Sequence, residues 1–366
     1  MVVAGAITQK PGFPGHAWVF LHYLLGFRRL GFDVVFVDQL GRDPTPSELA
    51  WIRDVMTRAG LDGSWSLLLN EGSIGLSRGE VIARTQTSLF LLNVMGFLKN
   101  RDILDAARRR VFLDIDPGFG QMWRELGLAD VFAGHDCFVT IAENMGKPGC
   151  LIPTCGLHWL TTRQPVVLSE WPQQTGNGSR FTSVARWRSD NAPVMYKEHA
   201  YGLRVHEFRK FLSLPKLVDE SLELALEIDP AETRDLDLLS TNGWRLTNPR
   251  GDVSQMAGYR SYLQSSRGEF LVAKNMYVDT RSGWFSDRSA CYLASGRPVI
   301  AQDTSLHGLY PLGEGLLAYE TLDDAVAAVH AIGEDYPRHS RRAREIAEEY
   351  FDSDKVLVRL IEGITH

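Results

Sequence analysis

Cysteine is scarce in this chain: four in 366 residues, too few and too scattered for a disulfide framework, which points to a reducing, cytoplasmic setting. Long apolar runs are missing too. The most apolar stretch, "SLFLLNVMGFL", covers 88–98, is too short to span a bilayer and contains Asn93. No basic, apolar and small-residue leader precedes the first strand-like run, so no targeting segment is expected. Dense basic tracts are absent apart from "RRAR" near the C-terminus, and the formal charge is −6. That charge gives no general attraction to nucleic acid or anionic lipid, so neither partner is expected. Internal repeats and low-complexity tracts are also lacking. What is present is an ordinary globular composition, 44% apolar and 23% charged, with enough chain for two domains.

The first half alternates strand-like and helix-like segments. "VVAGAI" reads as a buried strand, and Val19, Tyr23, Leu24, Phe27 and Leu30 give the next stretch a helical stripe. "FDVVFVD" is a second strand, "ELAWIRDVMTRAG" a helix stopped by Gly60, and "RRVFLDIDPG" a strand ending at Asp114 and Asp116. The texture changes at "QPVVLSEWPQQTGNGS", where periodicity fails, and the domain junction is placed there. A second alternating series follows. "RFTSVARW", "SLELALEI", "GEFLVAK", "RPVIAQD" and "GLLAYE" read as strands; "HEFRKFLSL", "DVSQMAGYRSYLQSS" and "SDRSACYLASG" read as helices. "TLDDAVAAVHAIGEDY" opens on a threonine cap with two acids behind it, and the chain ends in helix. Continuous apolar strands alternating with helices imply parallel sheets covered on both faces. The expected fold class is therefore α/β, with two Rossmann-like doubly wound domains facing a cleft: 1–170 and 171–366, with the last helix available to pack back on the first.

Open parallel sheets bind ligands at the carboxyl ends of their strands, so the residues just after each strand are the candidates. His16 is one of them, sitting where a Gly/Pro-rich turn becomes a helix; it is either a satisfied helix-end polar residue or a working base. "DID" at Asp114–Asp116 has the D-x-D form of a metal site, which is a weak signal on its own. His135, Cys137, Cys150, Cys155 and His158 crowd together, but zinc needs four ligands in tetrahedral reach, and buried cysteine as apolar filler is commoner. No resident metal or cofactor is expected.

The run Cys291-Tyr292-Leu293-Ala294-Ser295-Gly296-Arg297-Pro298-Val299-Ile300, followed by "GEGLLAYETLDDAVAAV", resembles the nucleotide-sugar-binding domain of GT-B-fold glycosyltransferases. In that pattern Gly296 ends a helix in the left-handed conformation and Pro298 stops its continuation. The helix start near Ser286–Ser289 offers N–H groups to a diphosphate. The resemblance implies donor-binding roles for Arg186 and Lys197 as paired cations, for Lys274, Tyr277 and Trp284 near the nucleotide, and for Ser286, Asp287, Arg288 and Ser289 at the diphosphate end. One departure stands out. Retaining enzymes of this pattern carry an E-x7-E pair, and the matching positions here are Gly283 and Cys291.

The opening stretch, "PGFPGHAWVFLHYLLGFRRLGFDVVFVD", resembles the inverting antibiotic-type and plant-type enzymes of the same fold. That likeness implies His16 as the base that deprotonates an acceptor hydroxyl and Asp116 as the acid that orients its ring. Gly15, Asp114, Glu143, Asn144, His158 and Trp159 are then the acceptor contacts. The implied function is metal-independent transfer of a sugar from a nucleoside diphosphate donor, with UDP or dTDP as the nucleotide, inverting if His16 is the base. A catalytically silent homologue and a sugar-nucleotide epimerase of the same fold are the alternatives.

Overall fold

The computed structural model describes residues 1–188 and 191–366. The chain divides into two compact units. The first is 1–141, 153–167 and 353–366; the second is 142–152 and 168–352. The main change of unit thus falls at 167/168, three residues before the expected 170/171. One further segment, 142–152, departs from the expected division and belongs to the second unit, while 353–366 joins the first, the placement the expected division left open for the last helix.

In the first unit the strands are β1 (Val2–Gly5), β2 (Val35–Gln39), β3 (Trp65–Leu68), β4 (Ser73–Gly75), β5 (Leu91–Val94), β6 (Arg110–Asp114), β7 (Cys137–Thr140) and β8 (Trp159–Thr161). They lie in the order β4-β3-β2-β1-β5-β6-β7-β8, all parallel except β4, which pairs antiparallel with β3. The helices are α1 (Pro14–Arg29), α2 (Pro46–Arg58), α3 (Arg78–Thr87), α4 (Arg101–Ala106) and α5 (Phe119–Glu125). Both α2 and α3 start at capping boxes, Thr45 with Glu48 and Ser77 with Glu80, in which each side chain satisfies an otherwise orphan N–H. By contrast, α1 starts at Pro14 without a side-chain cap. Val2, Ala4, Val35, Val37 and Leu91 form the core on one face of the sheet.

The second unit repeats the layout. Its strands are β9 (Arg180–Arg186), β10 (Val194–Tyr196), β11 (His199–Tyr201), β12 (Ser221–Glu227), β13 (Arg245–Thr247), β14 (Gly268–Leu271), β15 (Val299–Gln302) and β16 (Leu316–Tyr319). Six of them form an all-parallel sheet in the order β13-β12-β9-β14-β15-β16, while β10 and β11 make a separate hairpin. The helices are α6 (Arg204–Arg209), α7 (Thr233–Thr241), α8 (Met256–Ser265), α9 (Asn275–Asp279), α10 (Asp287–Ala294), α11 (Leu322–Glu334) and α12 (Tyr336–Ile346). Gly296, at φ +70°, closes α10 as its position before Pro298 suggests. Phe181, Leu222, Leu224, Phe270, Ile300 and Tyr319 fill one core face.

The last helix, α13 (Ser353–Thr365), packs on α1 in the first unit. Gly26 lets it approach: a Cβ there would stand 2.4 Å from Leu357 and 3.1 Å from Ser353. Arg29 adds a two-pronged ion pair to Asp354 at 3.0 and 2.9 Å.

Both parallel sheets have the doubly wound order 3-2-1-4-5-6, once β4 and β8 are set aside. In such sheets the strand order reverses at one point, and adjacent loops part there to leave a crevice at the carboxyl edge. That point lies between β1 and β5 in the first unit and between β9 and β14 in the second. Among the described residues, no helix is long and apolar enough to cross a membrane.

Candidate functional site

In the first unit, His16 lies in the first turn of α1, directly after the loop that leaves β1 at the reversal point. Its Nε2 is 2.9 Å from the carbonyl oxygen of Ala6. A carbonyl only accepts, so Nε2 carries the proton and Nδ1 holds the lone pair. The ring also meets Phe20 edge-on at 5.1 Å. Gly5 makes room for that phenyl ring, since a Cβ on it would fall 2.2 Å from the Phe20 ring. Gly15 sits in the same first turn.

Asp114 ends β6 and Asp116 lies in the turn after it, with β5 between β6 and β1. The partner at His16 Nε2 is the backbone carbonyl of Ala6. Asp114 is buried, and its carboxylate is turned inward. It accepts from Gln121 Nε2 at 2.6 Å, from the Asp116 amide at 3.2 Å and from Thr140 Oγ1 at 3.3 Å. Burial, with the nearby Asp116 charge adding to it, pushes its carboxyl up to about 7 against those hydrogen bonds. Asp114 therefore shapes the turn that carries Asp116, and its oxygens are committed to the protein. Trp159 on β8 is core: its ring packs on Phe132 and Phe138, and its Nε1 donates to the Thr154 carbonyl. Its burial corrects the expectation that it lines an acceptor surface. His158 beside it is exposed.

Glu143 and Asn144 belong to the second unit, contrary to the expected boundary. Their segment, 142–152, is bonded there through its side chains and backbone. The Tyr310 hydroxyl donates to Glu143, and Asn144 Nδ2 donates to the carbonyls of Arg281 and Ser305 at 3.3 and 3.0 Å. The Asn144 amide donates to the Ser282 carbonyl at 3.0 Å. Both Arg281 and Ser305 hold positive φ, 52° and 70°, so Asn144 stabilises two residues in an unfavourable backbone conformation. This docking also explains the absent glutamate pair. A Cβ on Gly283 would lie 2.8 Å from Leu309 and 2.9 Å from Asn144, and its φ is +69°. Cys291 is buried, with its thiol pushed well above its usual range by burial. Gly283→Ala is therefore expected to lose about 1–3 kcal/mol of stability in urea unfolding, because the new methyl and the backbone are both strained.

At the reversal point of the second sheet, Arg186 ends β9 and Lys274 follows β14. Arg186 Nε is bonded to Glu227 Oε2 at 2.6 Å. Lys274 stands over the Tyr277 ring at 5.5 Å, and Tyr277 in turn stacks on Trp284 at 4.1 Å. One face of Trp284 is thus taken by Tyr277. Lys197 is exposed at the tip of the β10–β11 hairpin, over Tyr196. Asn275 anchors that hairpin to α9: its Oδ1 accepts the Gly202 and Leu203 amides at 2.8 Å each, and its Nδ2 donates to the Ala200 carbonyl at 2.7 Å. The structure therefore brings Lys197 and Lys274 to neighbouring elements.

The first turn of α10 differs from expectation. Arg288 and Ser289 point inward to the fully buried Glu269, at 2.6 and 2.5 Å. That burial leaves Ser286, the backbone N–H groups and Asp287 at the turn, with the Asp287 carboxyl raised by burial. Burial also raises the thiols of Cys137, Cys150 and Cys155. His135 is engaged by Asn93 and the Phe132 carbonyl. Among the described residues, no three His, Cys, Asp or Glu side chains are placed to hold one metal ion.

No family model matches the chain, and no curated protein matches it by sequence. Solved structures match along its whole length. HepE of Anabaena, solved with UDP-glucose, superposes with a TM-score of 0.59 at 11% identity, covering 100% of this chain and 98% of HepE. A glycosyltransferase of Rickettsia africae gives 0.55 at 10% identity, with 100% and 98% coverage. A putative UDP-N-acetylglucosamine 2-epimerase of Listeria monocytogenes gives 0.50 at 12% identity, with 99% and 95%. The chain has the GT-B glycosyltransferase fold, two Rossmann-like α/β units in succession.

Proposed function

We propose that this protein is a glycosyltransferase that takes its sugar from a nucleoside diphosphate donor. The observation that carries the reading is the placement of Arg186 at the end of β9 and of Lys274 in the turn after β14, the two strands that flank the reversal point of the second sheet, with Lys197 on the hairpin anchored beside α9. Cations at that edge suit a diphosphate. The fold it shares with a structure solved with UDP-glucose supports reading that diphosphate as part of a nucleotide sugar.

In this reading the acceptor hydroxyl gives its proton to His16 Nδ1, and the hydroxyl oxygen forms a bond to the anomeric carbon. The bond from that carbon to the phosphate oxygen breaks, and the nucleoside diphosphate leaves with the electron pair. Lys274, Lys197 and Arg186 meet its growing charge, so the step proceeds without a metal ion and inverts the anomeric centre. The epimerase reading has the fold of the Listeria protein behind it. It requires carboxylates free to move a proton on the sugar, and Glu269, on β14 at the reversal point, is fully buried and already bonded to Arg288 and Ser289.

Titrating the protein with UDP, dTDP and GDP by calorimetry tests the reading. One of them is expected to bind, and Lys274→Ala should weaken that nucleotide by roughly 10- to 100-fold, the loss of one charge-assisted contact. Failure of all three nucleotides to bind overturns the proposal. Binding without turnover of any donor marks a silent sugar-nucleotide binder.

A further inference from the structure

The loop between β1 and α1 is gripped by a buried acid outside the catalytic assignment. Asp38 lies on β2 and is 1% exposed. Its Oδ2 accepts the Thr8 amide at 2.7 Å and its Oδ1 accepts the Gln39 amide at 2.7 Å. Burial raises its carboxyl, and the Thr8 amide is the largest influence opposing it. Gln9 ties this loop to β2, and Gln39 ties β2 to the segment before α4. Gln9 Nε2 donates to the Gln39 carbonyl at 3.2 Å, and Gln39 Oε1 accepts the Lys99 and Asn100 amides at 2.8 and 3.1 Å. Thr8 is two residues beyond Ala6, the residue whose carbonyl holds His16 Nε2.

We propose that Asp38 is a positioning residue for His16. By fixing the Thr8 amide it fixes the Ala6 carbonyl, and that carbonyl keeps the imidazole proton on Nε2, leaving Nδ1 as the basic atom. Two oxygens are needed, because one carboxylate serves two N–H groups on different segments of chain. From the other side, the Phe20 ring, admitted by Gly5, closes the imidazole against rotation. The consequence for turnover rests on the reading of His16 as the base; the tautomer itself does not.

The test is histidine-selective ¹⁵N labelling of the full chain, with long-range proton–nitrogen spectra taken above the imidazole titration. Native His16 is expected as the Nε2–H tautomer, and the Thr8 amide should exchange with solvent as slowly as the amides of β1. Asp38→Asn keeps the volume but offers a single acceptor oxygen. It should shift His16 toward a mixture of tautomers and lower transfer by roughly 10²-fold, with the KM for the donor unchanged. A native His16 protonated at Nδ1, or an Asp38→Asn spectrum identical to the native one, overturns the proposal. If Asp38→Asn does not fold, Thr8 exchange in the native protein decides: protection like that of β1 supports the clamp, and open-loop exchange rejects it. Absence of turnover in the native chain counts against the glycosyltransferase reading alone and leaves the tautomer result standing.

Discussion

His16→Ala is expected to fold, to bind its nucleotide with native affinity and to transfer sugar at least about a hundredfold more slowly, the usual weight of a general base. The loss corresponds to roughly 2.7 kcal/mol of transition-state stabilisation. Native binding follows because the nucleotide contacts assigned above, Lys274, Lys197 and Arg186, all belong to the second unit, whereas His16 belongs to the first. Folding follows because the helix face beneath His16 is carried by Ala17, Phe20, Tyr23, Leu24 and Phe27, which stay in place. His16→Gln sharpens the test. Its amide N–H can still reach toward the Ala6 carbonyl, yet it has no basic nitrogen, so it should restore any lost stability without restoring rate. Initial rates of nucleotide release with and without acceptor supply the measurement. Rates within about threefold of native in both variants remove His16 from the mechanism.

The parts of the fold that the sequence disclosed are those whose burial is written in consecutive letters. "VVAGAI", "FDVVFVD", "VFLDID", "SLELALEI" and "RPVIAQD" are strands buried on both faces, and each reads as an apolar run between turn signals. β7 and β8 escape this reading because they lie toward one edge, where Cys137, Phe138 and Leu160 are only half-buried and the runs are short. α3 escapes it because, of its ten residues, only Val81 and Thr85 are buried, although "SRGE" at its start carries the capping signal. The candidate site divides in the same way. His16 is visible because it stands at a strand-to-helix turn. Its partner is the carbonyl of Ala6, a group that every residue possesses and no residue letter encodes. Arg288 and Ser289 look like ligands for a diphosphate until Glu269, far back in the sequence, is seen to claim both. Likewise Asn144 acts on Arg281 and Ser305, more than a hundred residues on, with no periodicity to announce the pairing.

Two buried groups in the first unit should oppose each other in the pH dependence of its stability, and removing either should expose the other. His22 is 2% exposed; its Nδ1 accepts the Val167 amide at 3.1 Å, and burial pulls its pKa down to about 3. A depressed imidazole contributes stability that is present above about pH 6.5 and is lost as pH falls toward 3. Asp114, held up at about 7, behaves oppositely: its contribution is complete below about pH 3.8 and is lost as pH rises toward 7. Between about pH 4 and 6.5, unfolding therefore adds a proton to His22 and takes one from Asp114. The two cancel, and together they leave the native slope unchanged. Each taken alone is worth on the order of 4 kcal/mol across its window, from the size of its shift. Asp114→Asn should thus gain stability with rising pH over this range, relative to native, by up to about 1.4 kcal/mol per unit. His22→Phe should lose stability with rising pH by a similar amount. A uniform offset of about 1–3 kcal/mol is also expected in that variant, because the Val167 amide is left without its acceptor. Urea unfolding of the three proteins at several pH values between about 4 and 6.5 gives the slopes, and the remaining titrating groups drop out of the differences between them. Three parallel lines would mean that His22 and Asp114 titrate alike in the folded and unfolded chain, contrary to the burial of both.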